Sequence, residues 1–132
     1  MTKLNVEIPH SWSEPEPERE ERIATILRGA ATEAAMADAW YDHLAQHLRF
    51  PFWAYMAEPP SSQNTVRYGR TKLLRLAGRD RCAYGQIWVV GAPSMTPDTL
   101  GYFFLADLYK LEADLTVIQT VLDYLYWRER LS

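Results

Sequence analysis

Two aspartates stand one helical turn apart in the second predicted helix, and their spacing suits a divalent cation. Asp38 and Asp42 are at positions i and i+4, so their carboxylates share one helix face and repel each other. A hard cation such as Ca²⁺ prefers oxygen ligands and would relieve that repulsion. The alternative is a pair of solvated acids on an exposed face. The chain lacks the aspartate spacing of an EF-hand loop, so tight chelation is not expected.

Two histidines on the same helix and a single cysteine are the other candidates for metal or nucleophilic chemistry. His43 and His47 are also i and i+4. A zinc site needs a third ligand, however, and no His-Glu-x-x-His pattern accompanies them. Arg79 and Arg81 precede Cys82 and could lower a thiol pKa, but no sequence signature places a base beside it. We therefore expect no catalytic centre, and the chain is interpreted as a non-enzyme.

The middle of the chain is basic, while its two ends are acidic. Between residues 67 and 81 only Asp80 opposes six cations. The six are Arg67, Arg70, Lys72, Arg75, Arg79 and Arg81. They could form a solvated strand face that discourages edge pairing, a docking face for an acidic protein partner, or a phosphate-binding face for nucleic acid. The net charge of −3 argues against nucleic acid.

Length and composition predict one domain with an ordinary hydrophobic core. The chain has 132 residues, 48% of them hydrophobic, which is enough to fold without disulfides or metals. Its single cysteine excludes an intramolecular disulfide and favours a reducing compartment. No signal-peptide pattern is present, and the apolar runs are far shorter than the roughly 20 residues of a membrane span. We expect a cytoplasmic protein.

Prolines divide the chain near its start. Residues 1–16 are predicted to form an irregular arm, because Pro9 and Pro15 forbid a continuous helix or a central strand there. Residues 17–132 are predicted to form a single domain. Its first helix begins at Pro17, where a proline costs no hydrogen bond, and ends near Gly29.

Two further helices have recognisable caps. Thr32 is placed to cap a helix from Glu33 to Leu48, and Asp114 to cap one over residues 115–130. Apolar residues recur along both helices at amphipathic spacing. The stripe predicted to be buried in the last helix contains Leu115, Ile118, Leu122 and Leu125.

The region between these helices is rich in β-branched and aromatic residues. Four strands are predicted, over residues 52–57, 72–77, 84–90 and 101–106. The aromatic side chains of the first strand, including Trp53 and Tyr55, are assigned mainly to the core. Strands grouped together and flanked by helices indicate an α+β fold with a small antiparallel sheet or barrel.

The order of these motifs resembles the CcbP-type calcium-binding protein family of bacteria. Four stretches, together covering about residues 32–128, carry the resemblance. They are the aromatic helix Trp40-Tyr41-Asp42-His43-Leu44 with its exit through Phe50-Pro51-Phe52, the strand pair at 71–90, the segment Leu105 to Glu112, and the end of the final helix, Leu122-Asp123-Tyr124-Leu125-Tyr126-Trp127. The resemblance implies an SH3-like barrel packed with helices.

The same resemblance implies weak Ca²⁺ binding by surface carboxylates, in a regulatory or buffering role. The matching ligand positions are Asp38, Asp42, Asp107, Glu112, Asp114 and Asp123. For Glu112 and Asp114, which precede a helix, capping is the alternative explanation. Two other functions stay open. One is a protein-interaction or inhibitor module that kept the fold, lost the ion and meets an acidic partner through its basic strands. The other is a small nucleic-acid-binding barrel.

Overall fold

The structure is a computed structural model that describes residues 3–9, 11–58, 67–82 and 86–131. In these residues, one strand is followed by two helices, then by a group of five strands, and a third helix comes after them. The α+β class predicted from the sequence is confirmed. Among the described helices, none is long and apolar enough to cross a membrane.

The helices begin where the predicted capping residues lie. They are α1 (Pro17–Ile26), α2 (Glu33–His47) and α3 (Leu115–Tyr126), the last extended by a π-helical turn over Trp127–Leu131. The Thr32 hydroxyl accepts a 3.1 Å hydrogen bond from the backbone N–H of Ala35. The Asp114 carboxylate accepts one of 2.9 Å from Val117. Both bonds satisfy N–H groups that have no partner inside a helix.

The sheet contains six strands, so the prediction of about four was too low. They are β1 (Leu4–Glu7), β2 (Phe52–Glu58), β3 (Arg67–Leu76), β4 (Trp88–Pro93), β5 (Gly101–Phe104) and β6 (Leu108–Ala113). Neighbouring strands are antiparallel in the order β1-β6-β2-β3-β4-β5. β1 and β5 are therefore the edges of the described sheet. That sheet is open and differs from the predicted SH3-like barrel.

The first strand lies in the arm that was predicted to be irregular. Leu4 pairs with Ala113 and Glu7 with Lys110, so β1 lies at the sheet edge beyond β6. Pro9 comes two residues after β1, and a proline is tolerated beside an edge strand because no further strand needs its N–H. The prediction that the prolines forbid a central strand in residues 1–16 therefore holds, but these prolines are compatible with an edge strand.

The core lies between the helices and one face of the sheet. Trp40 is fully buried and meets Tyr124 of α3 edge to face, with ring centroids 5.5 Å apart. From Val117 onward α3 is buried on nearly every side. Leu115 and Thr116 form the start of the helix, before this buried part, and both are exposed. Leu115, predicted to be buried, is therefore 64% exposed.

The opposite face of the sheet carries polar and aromatic side chains. Phe52, Ala54 and Met56 of β2 are buried in the core, so the alternating Trp53 and Tyr55 point away from it. Both are half-buried. Assigning these two aromatics to the core was therefore wrong.

Candidate metal site

The most exposed pair of predicted ligands lies on α2, facing the connection between β3 and β4. Asp38 and Asp42 expose 68% and 58% of their side chains. The guanidinium of Arg79 donates to both, at 3.2 Å to Asp38 and through a shorter hydrogen bond to Asp42. The hydrogen bond to Asp42 and the negative charge of both carboxylates raise the pKa of Arg79. Arg79 thus occupies the position between two acids that a cation would take.

Aromatic and backbone contacts hold Arg79 in this position. Its guanidinium carbon lies 4.4 Å from the ring centroid of Tyr41 on α2. The Tyr41 hydroxyl donates a 2.8 Å hydrogen bond to the carbonyl of Ala77. A cavity of about 420 Å³ beside these groups is also lined by Glu33 and Cys82. These contacts hold the described part of the β3–β4 connection against the face of α2 that carries Asp38 and Asp42.

Asp123 is not a surface carboxylate, in contrast to the ligand set implied by the family resemblance. It is 2% exposed and accepts a 2.7 Å hydrogen bond from Arg19 and two of 3.0 Å from Arg22. These hydrogen bonds to Asp123 raise the pKa of Arg22. The arrangement pairs the buried charge with two cations and ties α1 to α3.

Glu112 and Asp114 each have a structural partner. Glu112 accepts a 3.1 Å hydrogen bond from Arg70 across the sheet. Asp114 caps α3 through Val117, and its second carboxylate oxygen lies 4.0 Å from Arg49. The capping alternative considered for Asp114 is what the geometry shows, whereas Glu112 serves cross-strand pairing.

Asp107 is exposed in a 3-10 turn before β6. It lines a groove of about 390 Å³, together with Trp12, Tyr109 and Glu129. Glu129 accepts a 3.3 Å hydrogen bond from the backbone N–H of Trp12. No local signal in the sequence points to Glu129, because it meets the groove only where the N-terminal arm docks on the last helix.

The six predicted carboxylates therefore do not gather at one point. Within the described ranges, no group of three or more histidine, cysteine, aspartate or glutamate side chains could hold a metal ion. Only Asp38 and Asp42 share a partner by side-chain contact, through Arg79. Any ion held there would take two carboxylates from the protein and complete its shell with water.

The two histidines and the cysteine each interact with neighbouring groups of the protein. His47 Nδ1 lies 2.8 Å from the carbonyl of His43, and the two rings are 4.2 Å apart. Burial, followed by the neighbouring His47, lowers the pKa of His43. Cys82 is 5% exposed and its pKa is raised by burial. A raised pKa disfavours the thiolate that nucleophilic chemistry needs.

The predicted basic segment divides between two faces of the molecule. Arg70, Lys72 and Arg75 extend from β3 on the side away from the core. The guanidinium carbon of Arg81 lies 3.8 Å from the ring centroid of Tyr102. Arg79 instead points to α2, where it donates a hydrogen bond to Asp38. The side chain of Arg67 lies outside the described part of the structure. Among the five described cations of this segment, Arg79 thus lies on a different face from the others.

The fold and these side chains define a small α+β protein with carboxylates exposed on its surface. The family model described as calcium binding, of the CcbP type, matches residues 21–128. The chain therefore belongs to the CcbP calcium-binding family. The family resemblance seen in the sequence is confirmed, and with it a calcium-binding function at the level of the family.

Two solved structures share the fold. The crystal structure of CcbP from Anabaena is 26% identical with a TM-score of 0.79, over 91% of this chain and 96% of that one. A calcium-binding protein solved in its calcium-binding form is 27% identical with a TM-score of 0.76, over 89% of this chain and 94% of that one. No curated protein matches the chain.

Proposed function

We propose that this protein binds Ca²⁺ weakly through surface carboxylates and acts as a calcium buffer or regulator rather than as an enzyme. The observation that carries the proposal is the family match over residues 21–128. The oxygen donors of the exposed Asp38 and Asp42 fit the ion, because Ca²⁺ is hard and accepts carboxylates in flexible geometry. This pair is our first candidate for the binding site.

The local charge pattern sets the strength of that binding. Two carboxylates supply at most four oxygens, and Ca²⁺ takes six to eight, so water completes the shell. The ion must also displace the guanidinium of Arg79 from Asp38 and Asp42. We therefore expect a dissociation constant on the order of 10⁻⁴ to 10⁻³ M, in the range of weak calcium modules.

Asp107 is the second candidate for a ligand. Among the described residues, no hydrogen bond or ion pair engages its carboxylate, and Glu129 lines the same groove. Glu112, Asp114 and Asp123 would each have to give up a structural contact to bind Ca²⁺. We rank these three behind the exposed aspartates.

The test is calorimetric titration of the chelator-stripped protein with Ca²⁺, with Mg²⁺ as the control ion. We expect saturable heat with Ca²⁺, reduced at least severalfold in affinity by Asp38→Asn or Asp42→Asn. The matched control is Asp98→Asn, which neutralises an exposed acid in the turn between β4 and β5. Absence of heat in the unmodified protein would contradict the function. An equal loss of calcium affinity in all three variants would contradict the assignment of the site to Asp38 and Asp42.

The cellular setting is part of the same proposal. A single buried thiol, Cys82, suits a reducing compartment, which supports a cytoplasmic location in a bacterium. Nucleic-acid binding is not favoured by the family match, and the chain carries a net charge of −3. The alternative of an interaction module that kept the fold but lost the ion is likewise not favoured by the family match.

A further inference from the structure

The sheet face turned away from the helices carries a cluster of cations and aromatic rings. We call it the basic sheet face and define it by Trp53, Tyr55, Arg70, Lys72, Arg75 and Lys110. The strand register places Tyr55 directly between Arg70 and Lys110. Trp53 lies in the same way between Lys72 and Glu112. Residues directly opposite each other on neighbouring strands share a face, so these side chains form one surface.

The surface continues toward β5. Arg75 lies opposite Val90, which in turn lies opposite Tyr102. The guanidinium of Arg81 stacks on Tyr102, which is 49% exposed. Among the described strand residues, this surface carries four cations and two acids. The cations are Arg70, Lys72, Arg75 and Lys110, and the acids are Glu7 and Glu112.

Two of the cations are available to a partner. Arg70 is already paired with Glu112 at 3.1 Å. In the described part of the chain, no carboxylate pairs with Lys72 or Arg75. No described carboxylate therefore neutralises either charge, although the protein is acidic overall. Arg75 donates one hydrogen bond, of 3.3 Å, to the carbonyl of Leu76.

We propose that the basic sheet face docks an extended acidic segment of another protein. Alternate residues of a strand repeat every ~6.8 Å, which sets the spacing of Arg70 and Lys72 along β3. An extended partner with acids at alternate positions repeats its carboxylates at the same distance. Complementary charge steers such encounters and fixes their register. The proposal stands independently of calcium binding, since none of its residues belongs to the Asp38–Asp42 pair.

The contacts of the aromatic rings favour a protein partner over single-stranded nucleic acid. Base recognition on a sheet uses free aromatic faces for stacking. Here the guanidinium of Arg70 lies 3.8 Å over the ring of Trp53, and the Lys110 ammonium lies 5.4 Å over Tyr55. These cations cover the ring faces on which a base would stack, and they present charge instead.

The test uses a fluorescein-labelled, twelve-residue peptide of alternating glutamate and threonine, followed by fluorescence anisotropy in the presence of chelator. We expect saturable binding that weakens as NaCl is raised from ~50 to ~300 mM. Charge reversal by Lys72→Glu or Arg75→Glu should each lower the affinity about tenfold. The control Arg28→Glu reverses an exposed cation at the end of α1 and should change it less than about twofold.

Three results would overturn the proposal. They are absence of peptide binding, an equal loss in Arg28→Glu, and tighter binding of a twelve-nucleotide oligothymidylate than of the peptide. An unfolding curve for each variant verifies that its fold is retained, and Lys72→Gln provides a milder change should Lys72→Glu fail to fold. Asp38→Asn should leave peptide affinity unchanged, which separates this surface from the calcium site.

Discussion

Arg19 donates a 2.7 Å hydrogen bond to Asp123, a residue 104 positions away whose side chain is 3% exposed. Replacing Asp123 by asparagine would leave Arg22 without its ion-pair partner at the α1–α3 contact, and Arg19 would keep only its contact with Glu16. Breaking a buried ion pair by removing one charge costs about 3 kcal/mol. Chemical denaturation of Asp123→Asn should show a loss of this size.

The control for Asp123 is Glu21→Gln, which neutralises an exposed acid on α1. Exposed substitutions of this kind usually change stability by less than about 0.5 kcal/mol. Equal stability of the two variants would show that the Arg19–Asp123 contact contributes nothing beyond surface charge.

Arg79 should compete with Ca²⁺ for Asp38 and Asp42. In Arg79→Met the two carboxylates lose their shared guanidinium and repel each other, so a cation should bind more readily. We expect calcium affinity to rise roughly threefold, since exposed pairs are individually weak. Calorimetry would measure the change. Arg75→Met on the sheet is the control with the same loss of charge, and an equal rise there would contradict local competition.

Asp114 has a capping role that can be separated from a ligand role. Asp114→Ala removes the oxygen that accepts from the Val117 N–H and should cost about 1 kcal/mol. Asparagine caps nearly as well, so Asp114→Asn should restore most of the stability. Because asparagine carries no charge, unchanged calcium affinity in Asp114→Asn would remove this residue from the ligand set. A marked loss of affinity would keep it there.

The pKa of His43 is lowered from 6.5, first by burial and then by His47. The folded protein therefore holds the proton of His43 less tightly than the unfolded chain. The resulting stability is present above pH 6.5 and is lost as pH falls through the lower folded pKa. NMR titration of the His43 ring should give a midpoint below 6.5.

The stability of the protein should correspondingly decrease on acidification from pH 7 toward pH 5. His43→Gln should flatten this dependence, because it removes the group whose protonation differs between the folded and unfolded chains. A His43 midpoint above 6.5, or an unchanged slope in His43→Gln, would contradict the assignment.

Local signals predicted the helices well. Thr32 and Asp114 act through hydrogen bonds to residues three positions ahead, and such bonds can be read from neighbouring residues. The apolar residues that recur at amphipathic spacing along α2 include Trp40 and Leu44, and both are fully buried. Each of these predictions depended on contacts within about one turn of helix.

Long-range contacts explain what the sequence did not show. The strand character of β1 depends on pairing with β6, more than 100 positions later. The environment of Asp123 depends on Arg19 and Arg22 in the first helix. Without knowing those partners, an acid near the end of an apolar helix could be interpreted equally well as a metal ligand or as half of an ion pair. The sharing of Arg79 by Asp38 and Asp42 was hidden for the same reason.

The pairing of β1 with β6 has a consequence for synthesis on the ribosome. β1 leaves the exit tunnel well before its partner strand Leu108–Ala113, which is made more than 100 residues later. Until then Val6 lacks its partner Leu111, and the unpaired edge is open to unwanted association. We expect the sheet to be completed only after β6 has left the ribosome, because both β1 and β2 pair with it.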